Sequence, residues 1–226
     1  MTNGAFRLAL TLAVLGLAAV AWGQTAFVVE DWASIPAGTK GVPPGWKGQN
    51  WGSPANDFTV LVDDPHHVLH AKSAGDGSTI SKDIKGKVKL KQTPIIEWSW
   101  KVVTLPTGAN ACKSATDDEA GQIYVTWRRF PELVRSRVIG YIWDTTAPVG
   151  TICKSEKTST VTYIVVRSGP ADLGKWLTEH RNVADDFKKI FEERDADDPD
   201  AISIGIDSND TKSQSEAFVG TIRFRP

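Results

Sequence analysis

The sequence predicts a mainly β protein: an antiparallel β-sandwich of jelly-roll type with one helix in its C-terminal half. Three observations lead there. Short apolar runs of period two recur along the chain, separated by turn residues. One of them, within residues 137–151 (RVIGYIWDTTAPVGT), is apolar or aromatic on both faces. Only residues 182–193 switch to a helical period. Such a set of elements points to packed sheets with a single covering helix.

The 137–151 stretch is read as the central strand. Ile139, Tyr141 and Trp143 point to one side and Val138, Gly140 and Ile142 to the other. A strand of this kind is buried on both faces, or covered on one and used for binding on the other. Asp144, Thr145, Thr146 and Pro148 end it with turn chemistry.

The chain opens on a targeting segment. Arg7 precedes an apolar run over residues 8–21, too short for a comfortable membrane span. Small residues follow at Ala19, Ala21 and Gly23, as in a secretory signal cleaved after Gly23 or Ala21. The expected domains are therefore a signal peptide over 1–23 and one sandwich over 24–226, periplasmic or secreted, with no stable membrane span after cleavage.

Strands are then expected over residues 27–32, 58–62, 68–71 and 79–84, with a polar loop over 73–78. The lysine-rich KGKVKLK (85–91) reads as the solvated face of an edge strand, since edge lysines block unwanted pairing. Residues 95–102 (IIEWSWKV) carry the cleanest alternation, with Ile96, Trp98, Trp100 and Val102 on one face. A loop over 105–119 leads to residues 121–128, which put Ile123, Val125 and Trp127 inward and Gln122, Tyr124, Thr126 and Arg128 outward. Residues 160–167 are rich in β-branched side chains. Asn182 is placed to cap a helix whose Val183, Phe187, Ile190 and Phe191 share one face. Residues 201–207 and 217–224 close the fold as strands.

Composition narrows the function. The formal net charge is −1 and no long basic run occurs, which argues against nucleic acid as the main partner. Two cysteines, Cys112 and Cys153, lie before one strand and after the next, at the same end of an expected hairpin. In an exported chain they are expected to pair.

No catalytic signature appears. Ser168 is not in a nucleophile elbow. His66, His67 and His70 lack a zinc-binding helix. No pair among Glu97, Asp144 and Glu179 is singled out for glycoside chemistry. No cofactor is expected. Asp117 and Asp118, in the acidic loop 116–119, could ligate calcium, as could the loop 207–216 (DSNDTKSQSE), but neither has EF-hand spacing. Glu97, Tyr124, Arg128, Tyr141 and Trp143 are expected to share the sheet face opposite Trp98, Trp100 and Trp127. Aromatics interleaved with polar groups in this way bind sugars. Glu179, Arg181 and Asp185 are expected to form a charge network orienting the helix.

Several stretches carry a family resemblance in order along the chain: GVPPGW, IIEWSWKV, DDEAGQIYV, GYIWD with PVGT, VVRSG, LGKW and RNVADDF. The chain resembles the bacterial domain of unknown function family 3047. The resemblance implies an exported β-sandwich, similar to galactose-binding-like and carbohydrate-binding modules, without an assigned activity. Its shared positions mark Asp117, Asp118, Tyr124, Tyr141, Trp143, Asp144, Glu179 and Arg181 as site candidates, with Glu97 and Arg128 added from the sheet pattern. The expected function is a non-catalytic binding module for carbohydrate or another polar envelope ligand. The alternatives are an envelope assembly partner or a polysaccharide-acting enzyme.

Overall fold

Alternating side chains become strands because each can bury one face while the backbone pairs with neighbours. The structure is a computed structural model; it describes residue 1, residues 25–63 and residues 65–226, so the expected signal segment lies almost wholly outside the described residues. In chain order the elements are β1 (Phe27–Glu30), β2 (Lys47–Gly48), α1 (Pro54–Asp57), β3 (Phe58–Asp63), β4 (His66–Ala74), β5 (Gly77–Asp83) and β6 (Ile95–Thr104). They continue with β7 (Gly121–Trp127), α2 (Glu132–Arg135), β8 (Arg137–Asp144), β9 (Ile152–Lys154) and β10 (Val161–Ser168). Then come β11 (Leu177–Asn182), α3 (Val183–Phe191), β12 (Ala201–Asp207) and β13 (Gln214–Arg225).

The described residues form two facing sheets. A six-stranded sheet has the order β11-β6-β13-β4-β3, with β1 also pairing β13. A seven-stranded sheet has the order β2-β5-β12-β7-β8-β10-β9. The mainly β sandwich is therefore as expected, with one departure. β10 runs parallel to β8, because the chain first lays β9 at the sheet edge and then returns β10 between the two. No helix among the described residues is long and apolar enough to cross a membrane.

The core is a strip of aromatic and β-branched side chains. Ile96, Trp98, Trp100 and Val102 of β6 are all fully buried, as the alternation predicts. Trp98 stacks on Tyr141 at 5.4 Å, and Trp100 packs against Trp143 at 5.9 Å. Tyr141 and Trp143 thus lie between the sheets, not on an outer face with Tyr124. Register explains the correction. Tyr141 stands opposite Ile123 and Gly121 opposite Trp143, so these share the inward face, whereas Tyr124 stands opposite Gly140 on the outward one.

The helix forms where its period predicts. The Asn182 side chain accepts from the Asp185 amide at 3.1 Å, capping α3. Val183 and Phe187 are buried, and Phe187 meets Trp127 at 4.7 Å. The charge network uses Asp186 instead of the expected Asp185. Arg181 Nε donates to Asp186 Oδ2 at 3.0 Å, and the Tyr141 hydroxyl donates to the same oxygen at 2.9 Å.

Three further expectations change. Residues 73–78 are not one loop, since β4 runs to Ala74 and β5 starts at Gly77. Residues 85–91 form turns, with Val88 and Leu90 buried and the lysines outside. β11, an edge strand on β6, was not anticipated. Cys112 and Cys153 are joined by a disulfide with a sequence separation of 41. A loop of that length gains about 4 kcal/mol in the chain-entropy account.

Candidate functional site

The outward face of the seven-stranded sheet holds a groove of about 440 Å³. Its floor follows from the alternation that buries Ile123 and Val125, because Gln122 and Tyr124 must then point out. Two glycines let these side chains lie low. A Cβ at Gly140 of β8 would stand 2.8 Å from the Tyr124 ring and 2.9 Å from that of Tyr163, so both rings close over this strand. A Cβ at Gly205 of β12 would stand 2.1 Å from Gln122 Oε1. Any larger residue at either place would lift the floor. Trp51, 54% exposed, stands on the rim.

One end of the groove is acidic. The Tyr124 hydroxyl donates to Gln122 Oε1 at 2.8 Å, and Gln122 Nε2 donates to Glu119 Oε2 at 2.7 Å and to the Glu119 carbonyl at 3.0 Å. Glu119 and Asp117 are both buried, and Glu119 Oε1 and Asp117 Oδ1 have no donor. Burial pushes the Glu119 carboxyl well up, reinforced by the charges of Asp117 and Asp207. Burial also raises Asp117. A proton held between the two would satisfy both orphan oxygens. Asp207, at the end of β12, is pushed up to about 7, chiefly by burial, and its backbone amide donates to the Glu119 carbonyl at 3.1 Å. Burial pushes the Tyr163 hydroxyl up as well. Lys157 closes this end as an ion pair with Asp210; burial works against its charge, and the Asp210 carboxylate raises its pKa.

Of the ten residues expected at a site, the structure brings Asp117 and Tyr124 together here. The other eight serve elsewhere. Asp118 accepts the amides of Asp210 at 3.1 Å and Thr211 at 2.7 Å, tying the two acidic loops together. Asp144 is buried and accepts the amides of Ala111, Thr146 and Ala147. Arg128 pairs with Asp83 at 2.8 Å near the surface. Glu97 lies on the other sheet, where it meets Arg223, Arg225 and His180. Glu179 accepts from Arg167 at 2.7 Å and from the Trp100 indole at 3.2 Å. Arg181 is held by Asp186, and Tyr141 and Trp143 are core. Among the described residues no group of three or more His, Cys, Asp or Glu is placed to hold a metal ion. Amide donors engage both Asp118 oxygens, at 3.1 and 2.7 Å.

Glu119 and Asp207 come from the two acidic loops read as oxygen-rich, whereas Gln122, Tyr163 and Trp51 line the groove with no such reading. Gly140 was their one available signal. A glycine inside an otherwise bulky strand marks a close approach by its neighbours.

Comparison with known proteins bears on family. The family 11 carbohydrate-binding module of a cellulosomal cellulase of Clostridium thermocellum has a TM-score of 0.45 and 10% identity, over 89% of this chain and 94% of that one. A xylan-binding domain of a Paenibacillus barcinonensis protein has a TM-score of 0.41 and 10% identity, over 89% and 96%. The family 11 xylanase of Neocallimastix patriciarum has a TM-score of 0.41 and 11% identity, over 88% and 98%. No curated protein matches the chain. Residues 44–223 match the family described as "Protein of unknown function (DUF3047)", and the chain belongs to that family.

Proposed function

We propose that the protein is an exported, non-catalytic binding module that holds a carbohydrate or similar polyhydroxylated envelope ligand in the groove over β7, β8 and β10. The observation that carries this reading is the low floor of Tyr124 and Tyr163 over Gly140, ending in buried acids with oxygens that lack a donor. Rings offer apolar faces, while neutral and ionised carboxyls offer donors and acceptors side by side, as hydroxyl-rich ligands require. The disulfide supports the exported setting.

The test is a thermal-shift and titration screen of the mature chain against soluble plant and bacterial glycans. A ligand at a hundred times its dissociation constant adds about 2.7 kcal/mol, or roughly 5–10 °C in a domain of this size. Trp51→Ala should weaken binding roughly three- to tenfold without lowering the unliganded Tm, as expected for one stacking contact. Trp143→Ala should destabilise the fold by about 3–5 kcal/mol as a core cavity. Glycan binding indifferent to Trp51→Ala and Tyr163→Ala would overturn the assignment.

A second reading, an envelope assembly partner, is favoured by one observation. Phe130, Leu133 and Val134 form an exposed apolar knuckle around α2, 86%, 91% and 68% exposed. Phe130→Ser with Leu133→Ser should leave glycan binding intact if the groove is the functional surface.

A further inference from the structure

We propose that the outer face of the six-stranded sheet carries a second ligand groove, in which a neutral glycan stacks a sugar ring on Trp176. The site does not depend on the first groove, which lies on the opposite sheet.

The groove exists because the sheet branches. β13 pairs with β4 as far as Val219, opposite Leu69, and with β1 from Ile222, opposite Glu30. Gly220 and Thr221 fall between, where the register with β6 also shifts. A cleft of about 660 Å³ opens over this break, within the range of small-ligand pockets. A Cβ at Gly220 would stand 2.3 Å from Ser99 Oγ and 3.5 Å from the Trp176 ring, so glycine keeps the floor low. The chain leaving β1 forms a wall at a conformational cost. Trp32 has φ 63°, a region most side chains avoid. It is held there by its amide on Glu30 Oε1 at 3.1 Å and by its indole on the Gly220 carbonyl at 2.9 Å. The strained residue is thus tied directly to the cleft floor.

Trp176 supplies an oriented platform. It is 39% exposed, yet its ring is fixed. Its Nε1 donates to Asp63 Oδ2 at 2.6 Å, and Lys101 Nζ donates to the same oxygen at 2.5 Å. The Lys101 ammonium also lies 5.1 Å from the indole centroid and 4.6 Å from that of Phe218. An indole so tethered loses little freedom when a ligand covers it.

The chemistry around the ring selects the ligand class. Asp31, Asp63, His66, Ser99 and Thr221 line the cleft, with the Lys101 ammonium behind them as the ion-pair partner of Asp63. Asp31 adds negative charge and the nearby Lys101 ammonium is already paired with Asp63, so the cleft offers an anionic ligand no free cation among its described lining residues. Hydroxyl and imidazole groups beside an exposed ring suit a neutral polyol.

Hydroxyl-radical footprinting read by peptide mass spectrometry tests this on the mature protein. Trp51 and Trp176 are the exposed tryptophans among the described residues, so each reports on its own groove. The probes are soluble β-1,4-linked hexasaccharides of glucose, xylose, mannose and N-acetylglucosamine. At least one should cut Trp176 oxidation by about threefold or more, as expected for a stacked ring. Thr221→Arg, an exposed change that fills the cleft, should abolish that protection and leave Trp51 unaffected. Trp176 oxidation unchanged by all four glycans would overturn the proposal. So would protection that survives Thr221→Arg. Protection of Trp51 alone would support the first groove and overturn the second.

Discussion

Asp144 and Glu119 are neighbours with opposite fates. They sit at the same end of paired strands, just beyond the Gly121–Trp143 pair, and are 0% and 1% exposed. Asp144 accepts three backbone N–H groups, at 2.8, 2.7 and 2.6 Å, so its charge is fully solvated by the fold. Glu119 has one oxygen on Gln122 and the other without a donor, and its carboxyl is pushed well up; Asp144 itself adds to that rise. Burial of an acid therefore does not mark a site. What marks it is a buried acid whose partners fall short, because that deficit can be met by a proton or a ligand.

The broadest way to break this contrast is pH. Asp207 titrates at about 7 in the folded groove, chiefly because burial disfavours its charge, and near its ordinary value of 3.8 in the unfolded chain. Between those values the folded state holds a proton that the unfolded state has lost. Stability is thus fullest on the acid side and falls as pH rises from about 4 to about 7, on the order of 4 kcal/mol. Glu119 and Asp117 act with the same sign. The carboxylates with lowered pKa values, such as Glu30 and Glu216, oppose this only as pH falls toward their own titration. Urea midpoints taken from about pH 4.5 to 7.5 should decline in the wild type and decline less steeply in Asp207→Asn. A midpoint that climbs across this window would mean the groove acids are as well partnered as Asp144.

Removing the satisfied member comes next in size. Asp144→Ala leaves the amides of Ala111, Thr146 and Ala147 without their acceptor in a buried place. At about 1 kcal/mol per orphaned bond the loss is about 3 kcal/mol, measured by urea unfolding. Asp144→Asn keeps one acceptor oxygen and should lose less.

Much of the fold could be read from residue order, and the site mostly could not. Period two in residues 95–102 and 121–127 reports burial directly, because each strand must hide one face. Asn182 and the apolar positions after it mark α3 for the same reason. Tyr141 shows the limit. Its own strand is apolar on both faces, and only register against Ile123 decides which face is core. Tyr163 and Tyr124 meet over Gly140 through pairing between β7, β8 and β10, one junction of which is parallel and follows from no local pattern. The acidic loops around residues 117 and 207 lie far apart in the chain and join only through contacts such as the Asp118 oxygens on the amides of Asp210 and Thr211. Val88 and Leu90 imitated an alternating strand, but turns closed by Ile84 and Lys89 carbonyls bury both without one.

The smallest effect is the sharpest, because its sign is opposite to that of Asp144→Ala. Glu119→Gln keeps an acceptor for Gln122 and replaces an oxygen that has no donor with an amide. It also removes a carboxyl whose charge burial disfavours, pushing its pKa well up. That penalty lowers stability in the wild type, and imperfect amide geometry returns part of the saving. A net gain of about 1–2 kcal/mol at pH 7 is expected. The gain should shrink toward zero near pH 4, where the wild-type carboxyl is neutral in both states. Parallel urea titrations of wild type and variant at the two pH values read both size and trend. A loss of stability at pH 7 would show that Glu119 is held as firmly as Asp144, and the groove would then be an ordinary part of the core's polar edge.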